Sequence, residues 1–440
     1  YMTTAAAGNV RNTIGKYMLA DGMDLVIDLE KSHGSWLVDG RDNKEFLDLF
    51  SMFASMSVGY NHPYVLENKN RLTVAALNKP TNSDVYSTQM AQFVETIGRL
   101  AQPEYLPYAF YVEGGALAVE NALKAAFDWK VRKNRAAGKQ NGGSKIIHFK
   151  ECFHGRSGYT LSLTDSPDKR KTEFFPKFDW PRIDNPKLSF PETDDVIENV
   201  KREELKAIAQ ITAALDANPG EIAGLIIEPI QGEGGDNHFR EAFFRNLRKL
   251  ADDNDFLLIY DEVQTGAGIS GKMWAHQHYS EDCRPDIICF GKKTQVCGIF
   301  AGKRLDEVEG HVFKESSRIN STWGGNLVDM VRFTIYLEII ENEKLVEQAA
   351  ENGAYLKQSL ESLQKKHPEV LFNIRNRGLF GAFDLKSTEQ RDKALTLIAE
   401  EGALMLGCGY TSIRFRPHLN ISQNEIDQGI HMIDRALSKL

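Results

Sequence analysis

The sequence predicts an α/β fold with a largely parallel sheet, joined to a smaller α+β domain built from the chain ends. Three observations carry that expectation. Short apolar runs alternate with helical stretches through the middle of the chain, the pattern of strands linked by crossover helices. Those runs are mostly apolar throughout, as strands covered on both faces are. At 440 residues the chain also exceeds one core, since a domain typically takes about 150 residues.

Taken in order, Trp36 to Asp48 reads as a hairpin with its turn at Asp39-Gly40 or just beyond it. The candidate strands after it are Tyr108–Val112, Lys145–Phe149, Gly224–Ile227, Phe256–Tyr260 and Asp286–Phe290. Asn141–Ser144 and Asp165–Asp184 read as loops. From Asn326 the pattern is helical to about Lys366 and then mixed. Ser422-Gln423-Asn424-Glu425 is a capping-box signature opening a last helix that runs to Leu440. The expected division is an N-terminal segment, 1–62, contributing to the small domain, a large domain over 63–325, and a C-terminal small α+β domain over 326–440.

Composition excludes several classes. A hydrophobic share of 42% and a charged share of 26% are those of a globular chain. Fifty-three Lys and Arg stand against 61 Asp and Glu, a net charge of −8, which argues against a nucleic-acid surface. No uncharged run approaches the ~18 apolar residues of a membrane span, and no signal-peptide pattern opens the chain. The five cysteines are scattered without a CxxC pair. That points away from a disulfide framework and toward a reducing, cytoplasmic setting.

The residues just past each strand carry the chemistry. In open α/β sheets ligands bind beyond the carboxyl ends of the strands, and all five strands run into polar or glycine-rich elements. Gly114-Gly115-Ala116 precedes an amphipathic helix with Val119, Leu123, Ala126 and Phe127 on one face. Convergent N–H groups at such a helix start favour a phosphate, although a tight turn needing glycine for geometry has the same signature. A Walker loop is absent, and Gly232-Glu233-Gly234-Gly235 does not satisfy GxGxxG. Asp261 closes a buried apolar run, where a carboxylate is costly unless paired. It could cap a helix, pair with an arginine, bind a metal or hold a protonated ring nitrogen. Glu228 is similarly placed, but histidines at ligand spacing are missing, so no metal is expected. Lys292 and Lys293 come directly after Asp286–Gly291. Burial lowers a lysine pKa and favours the neutral amine that a Schiff base requires, and neighbours along an extended segment point to opposite faces, so one of the two reaches the site. A phosphate cradle, a buried acid and a strand-end lysine together are the handles of pyridoxal phosphate.

Four stretches then carry a resemblance: Glu228–Gly234 (EPIQGEG), Asp261–Gly266 (DEVQTG), Pro285–Lys292 and Ser321–Asn326 (STWGGN). With these the chain resembles the class III aminotransferases of the fold-type I pyridoxal phosphate enzymes, from about Gly34 to the C-terminus. The resemblance implies a mostly parallel seven-stranded sheet in the large, cofactor-binding domain. It implies Lys292 as the Schiff-base lysine, Asp261 on the pyridine nitrogen and Gln264 near the ring hydroxyl. Gly115 and Ala116 would hold the phosphate, Phe153 would stack on the ring, and Glu228 joins the cofactor-binding set. Thr322 would reach the phosphate of the neighbouring subunit of a homodimer. Arg156 and Arg414 fall where substrate carboxylates bind, with Asn320 and Phe53 in the same set. Glu233 corresponds to a switch glutamate paired with Arg414.

One departure narrows the reading. Most members follow Gly-Lys with a paired glycine and a proline, whereas this chain reads Gly291-Lys292-Lys293-Thr294-Gln295-Val296-Cys297-Gly298. That version is similar to the L-lysine 6-aminotransferases. Phe53 stands where ornithine enzymes carry a tyrosine, and losing the hydroxyl weakens an ornithine reading. The implied reaction moves the ε-amino group of L-lysine to 2-oxoglutarate, giving 2-aminoadipate 6-semialdehyde and L-glutamate; ornithine or another ω-amino acid is the alternative donor.

Overall fold

The protein is described over residues 5–440 by a computed structural model. Seven strands form its central sheet: β1 (Tyr108–Val112), β2 (Lys145–Phe149), β3 (Arg182–Ile183), β4 (Ile222–Ile227), β5 (Leu257–Asp261), β6 (Ile287–Phe290) and β7 (Cys297–Ala301). Their spatial order is β1-β7-β6-β5-β4-β2-β3. β7 runs antiparallel to both its neighbours, and the other pairings are parallel. The mostly parallel seven-stranded sheet is therefore present, and the five strands expected from apolar runs are all in it.

β3 and β7 lie outside those five. Arg182–Ile183 falls within the stretch read as a loop; two residues at a sheet edge are too short to show a period. Along the buried strands alternate side chains enter two different cores. Leu258, Tyr260 and Ile288 face one, while Leu257, Ile259 and Ile287 face the other with Ala122, Ala126 and Trp129 of the helix Gly115–Ala136. With both faces covered, no polar residue is tolerated in the run, and that is why it was legible. On that helix Val119, Leu123 and Ala126 are buried as expected, and Phe127 is half-buried.

The chain ends share structure. Trp36–Val38 pairs antiparallel with Glu45–Asp48 across the expected turn, and Ala403–Leu404 adds a parallel strand beside Glu45–Asp48. A four-stranded antiparallel sheet is formed by Phe372–Arg377, Phe380–Asp384, Ser412–Phe415 and Leu406–Cys408, in that order. The helical stretch after Asn326 is two helices, Leu327–Asn342 and Leu345–Lys366, because Lys344 turns left-handed with φ 53°. The last helix, Gln423–Leu437, stops short of Leu440. Only half of its capping box forms: Ser422 Oγ accepts from Glu425 N at 3.1 Å, while the Glu425 carboxylate takes the Ser422 hydroxyl.

No described helix is long and apolar enough to cross a membrane. All five cysteines are free and buried.

Candidate active site

The carboxyl ends of β1, β2, β4, β5 and β6 lead directly into Gly114, Phe153, Glu228, Asp261 and Lys292. Gly115, Phe153, Glu228, Asp261 and Lys292, each at or just past one of these strand ends, line one cavity of about 620 Å³. Every site residue implied by the resemblance lines it except Asn320 and Thr322. Those two sit exposed on the loop before the helix Leu327–Asn342. A larger hollow of about 1050 Å³ lies along the helix Gly115–Ala136 and contains none of the candidate residues.

Asp261 ends β5 at 4% exposure. Its Oδ1 accepts from Val263 N at 3.0 Å and its Oδ2 lies 2.7 Å from His154 Nδ1. His154 Nε2 is buried with no partner among the described residues. Sequence reading missed this histidine although it directly follows Phe153, because a buried histidine carries no periodic signal. Glu228 is held by backbone N–H groups of Phe153 at 2.9 Å and Gly232 at 3.1 Å. Burial, and then the charge of Asp261, push its carboxyl well above the usual range, against the pull of those two donors.

Gly114 takes φ 93° at the turn into the helix Gly115–Ala136. A Cβ on Gly115 would stand 3.1 Å from Val263 Cγ1, so the glycine keeps the helix start open against the cavity. The first N–H groups of a helix have no partner within it. Here the helix start, at Gly115 and Ala116, lines the same cavity as Asp261 and brings a positive dipole end to it.

The two lysines separate by geometry. They lie in a one-turn 3₁₀ segment, Lys292–Thr294, rather than in the extended segment expected. Lys292 lines the cavity and its Nζ donates to Phe53 O at 3.0 Å. Lys293 turns into the interior at 1% exposure. Burial holds the Lys292 amine below the ordinary lysine range, assisted by the Arg414 charge and opposed by Glu233. In cofactor-free protein the reaction of Lys292 with an added aldehyde should therefore rise with pH at a midpoint below that of free lysine. Glu233→Gln should move that midpoint lower still, because the anion favouring the ammonium is gone and Arg414 is left unneutralised. Peptide mass mapping after borohydride reduction reads both midpoints.

Arg414 Nη1 meets Glu233 Oε1 at 2.5 Å. Arg414 is buried and its Nε has no partner among the described residues. Burial alone would raise the Glu233 carboxyl, but the Arg414 charge and hydrogen bond, with Lys292 and Lys171 behind them, bring it below the usual range. Arg416, two residues beyond Arg414, is placed differently and is absent from the cavity lining. It is fully buried, paired with Asp236, and its Nε and Nη2 donate to Gln264 Oε1 at 2.9 and 2.8 Å. It thereby orients the Gln264 side chain. Arg156 stands exposed on the rim of the cavity and makes no ion pair among the described residues. Lys171, from the stretch read as a loop, is a second rim cation, its Nζ 5.9 Å from the Phe153 ring centre.

A helix start for a phosphate, a buried carboxylate for a pyridinium nitrogen, an aromatic face at Phe153 and an amine at Lys292 match pyridoxal phosphate group by group.

The comparisons agree with that donor set. Residues 17–437 match the family model described as Aminotransferase class-III. The L-lysine-epsilon aminotransferase of Mycobacterium tuberculosis (strain ATCC 25618 / H37Rv) is 49% identical over 432 residues, 97% of this chain and 95% of that one. The L-lysine-epsilon aminotransferase of Streptomyces clavuligerus is 47% identical over 438 residues, 98% and 94% of the two chains. Among solved structures, the lysine aminotransferase from M. tuberculosis in the internal aldimine form superposes with a TM-score of 0.96 at 48% identity, covering 99% of this chain and 100% of that one.

Proposed function

The chain belongs to the class III aminotransferases, pyridoxal phosphate enzymes of the transaminase type, and from that premise we propose that it transfers the ε-amino group of L-lysine to 2-oxoglutarate, giving 2-aminoadipate 6-semialdehyde and L-glutamate. When bound, the cofactor supplies an electron sink that stabilises negative charge on the carbon bearing the amine. In this reading Gly115 and Ala116 hold its phosphate and Phe153 its face. Asp261, backed by His154, keeps its ring nitrogen protonated, Gln264 lies near its ring hydroxyl, and Glu228 borders the same ring. Lys292 is its anchor.

One observation carries the substrate reading: the two guanidinium groups of the cavity are in different states. Arg156 stands on the rim without an ion pair among the described residues, and Arg414 is closed by Glu233 beside Lys292. A lysine donor presents its distal amine, so its only carboxylate is several bonds away and suits Arg156, whose planar fork fixes position and angle. Glutamate presents its α-amine and brings a carboxylate close to Lys292. That group suits Arg414 once Glu233 swings away, while Arg156 takes the γ-carboxylate. Pairing with Glu233 spares Arg414 an uncompensated buried charge during the donor half. Phe53, a wall without a hydroxyl, contacts the donor's chain. Lys292 Nζ removes the proton from the carbon bearing the amine and returns it later in the cycle.

The same proposal includes a homodimer in which Thr322 serves the neighbouring cavity and Asn320, on the same loop, contacts substrate. Exposure of both residues outside their own chain's cavity supports it. It also includes the division at 62/63 and 325/326 and a cytoplasmic location, which five free thiols support.

The test is a half-reaction without any oxo acid. Cofactor-loaded protein receives L-lysine, L-ornithine or 4-aminobutyrate while the visible absorbance of the bound cofactor is followed. Rapid bleaching by lysine alone is the expected result. Faster bleaching by ornithine overturns the donor assignment, and no cofactor band at all overturns the roles given to Lys292 and Asp261.

A further inference from the structure

The wall that carries Phe53 has an unusual backbone. Ser51, Met52, Phe53 and Ala54 are four consecutive non-glycine residues with positive φ, at 43°, 52°, 59° and 64°. L-residues resist a left-handed turn because Cβ crowds the following carbonyl, so such a run persists only where its surroundings over-determine it. At its base, Asp48 Oδ1 accepts from Phe50 N at 2.9 Å and Ser51 N at 2.6 Å, and Ser51 Oγ donates to Arg416 O at 2.5 Å. At its top, Phe53 O accepts from Lys292 and Ala54 O accepts from Lys293, each at 3.0 Å. The Lys292 bond is available only while that amine is free, so a cofactor-loaded site leaves Lys293 to fasten Ala54 O, beside the Gln295 Nε2 bond to Ser55 O at 2.7 Å.

We propose that Lys293 is a positioning residue that ties the left-handed turn 51–54 to the loop bearing Gln264, and so sets the Phe53 wall against which the donor's chain lies. The stoichiometry of the contact supports it. Lys293 Nζ donates to Ala54 O at 3.0 Å and to Gln264 O at 3.1 Å. No carboxylate forms an ion pair with it among the described residues. A neutral amine has two N–H donors, and two buried carbonyls receive them. Burial first, then the charges of Arg416 and Lys292, push the Lys293 pKa well below the ordinary lysine range, toward that neutral form. The tether extends downward as well, since Ser57 Oγ donates to Lys293 O at 2.7 Å. One side chain thus joins the turn behind Phe53, the loop of Gln264 and the turn of Lys292. A hydrophobic residue of the same length would leave Ala54 O and Gln264 O buried and unpaired.

This inference rests on the reading of Lys292 as the cofactor lysine, so wild-type protein is examined first: borohydride reduction of the loaded enzyme must place the cofactor's mass on the Lys292 peptide. Failure there removes that reading before Lys293 is tested. Lys293→Met in the loaded enzyme should then raise KM for L-lysine about five- to tenfold, with kcat within about threefold. It should speed amide hydrogen exchange over residues 51–57 at least tenfold, while exchange in β4 and β5 stays as in wild type. Where Lys293→Met does not fold, Lys293→Gln, which keeps two donors on a shorter arm, should show the same pattern at smaller amplitude. Unchanged exchange over 51–57, or a parallel loss of kcat and KM with faster exchange throughout the sheet, would overturn the proposal.

Discussion

Replacing Lys292 by alanine is expected to abolish turnover, with a loss of at least about 10⁴-fold, the range in which an activated amine and a positioned general base together operate. The protein should nevertheless fold and keep some cofactor. The helix start at Gly115, the Phe153 face and Asp261 do not depend on the lysine, and Lys292 itself is only half-buried, its amine donating to Phe53 O. Two measurements separate these effects. The thermal midpoint of the variant reports folding, and absorbance after dialysis against pyridoxal phosphate reports retention. Steady-state turnover within a hundredfold of wild type would show that another base, with Lys171 as the other lysine lining the cavity, does the proton work.

Glu233→Ala is expected to slow the L-lysine half-reaction by roughly tenfold more than the glutamate half-reaction, about 1.4 kcal/mol of difference. The physical reason is asymmetric. In the donor half Arg414 has Glu233 as its anion, and removing one partner of a buried pair leaves the other charge uncompensated. In the glutamate half the substrate's own carboxylate replaces Glu233. The expected difference is smaller than for a fully enclosed pair because the Glu233 side chain is 31% exposed. Protonation does not operate the switch at neutral pH. A carboxyl held below its usual value contributes its pairing above that range and loses it only as pH falls through the folded-state pKa. Single-turnover rates for each half, measured at the same pH, decide the matter, and equal losses in both would sink the switch.

The apolar strands and their polar successors were legible because each is a local pattern read along the chain. β5 and β6 announce themselves by composition, and the residues just after them must face the sheet's carboxyl edge whatever the loops do. Lys171 and His154 were not legible in this way. Lys171 comes from a stretch without periodicity, and His154 acquires meaning only from lying 2.7 Å from an aspartate more than a hundred residues away.

Arg414 and Arg416 lie two residues apart in the sequence, Arg414 on the strand Ser412–Phe415 and Arg416 just past it. Only the fold separates them, by supplying Asp236 beneath one and an open cavity with Glu233 beside the other. The same holds for Lys292 and Lys293, whose order of burial comes from a turn that the sequence reading took as extended. By itself the sequence determined five of the seven sheet strands, the residues that line the cavity at their carboxyl ends and the family, since these rest on local apolar runs and on motifs contiguous in the chain. The tertiary structure alone decided which of two neighbouring cations lines the cavity and which is turned into the interior, because burial and the choice of partner depend on residues brought together from distant parts of the chain.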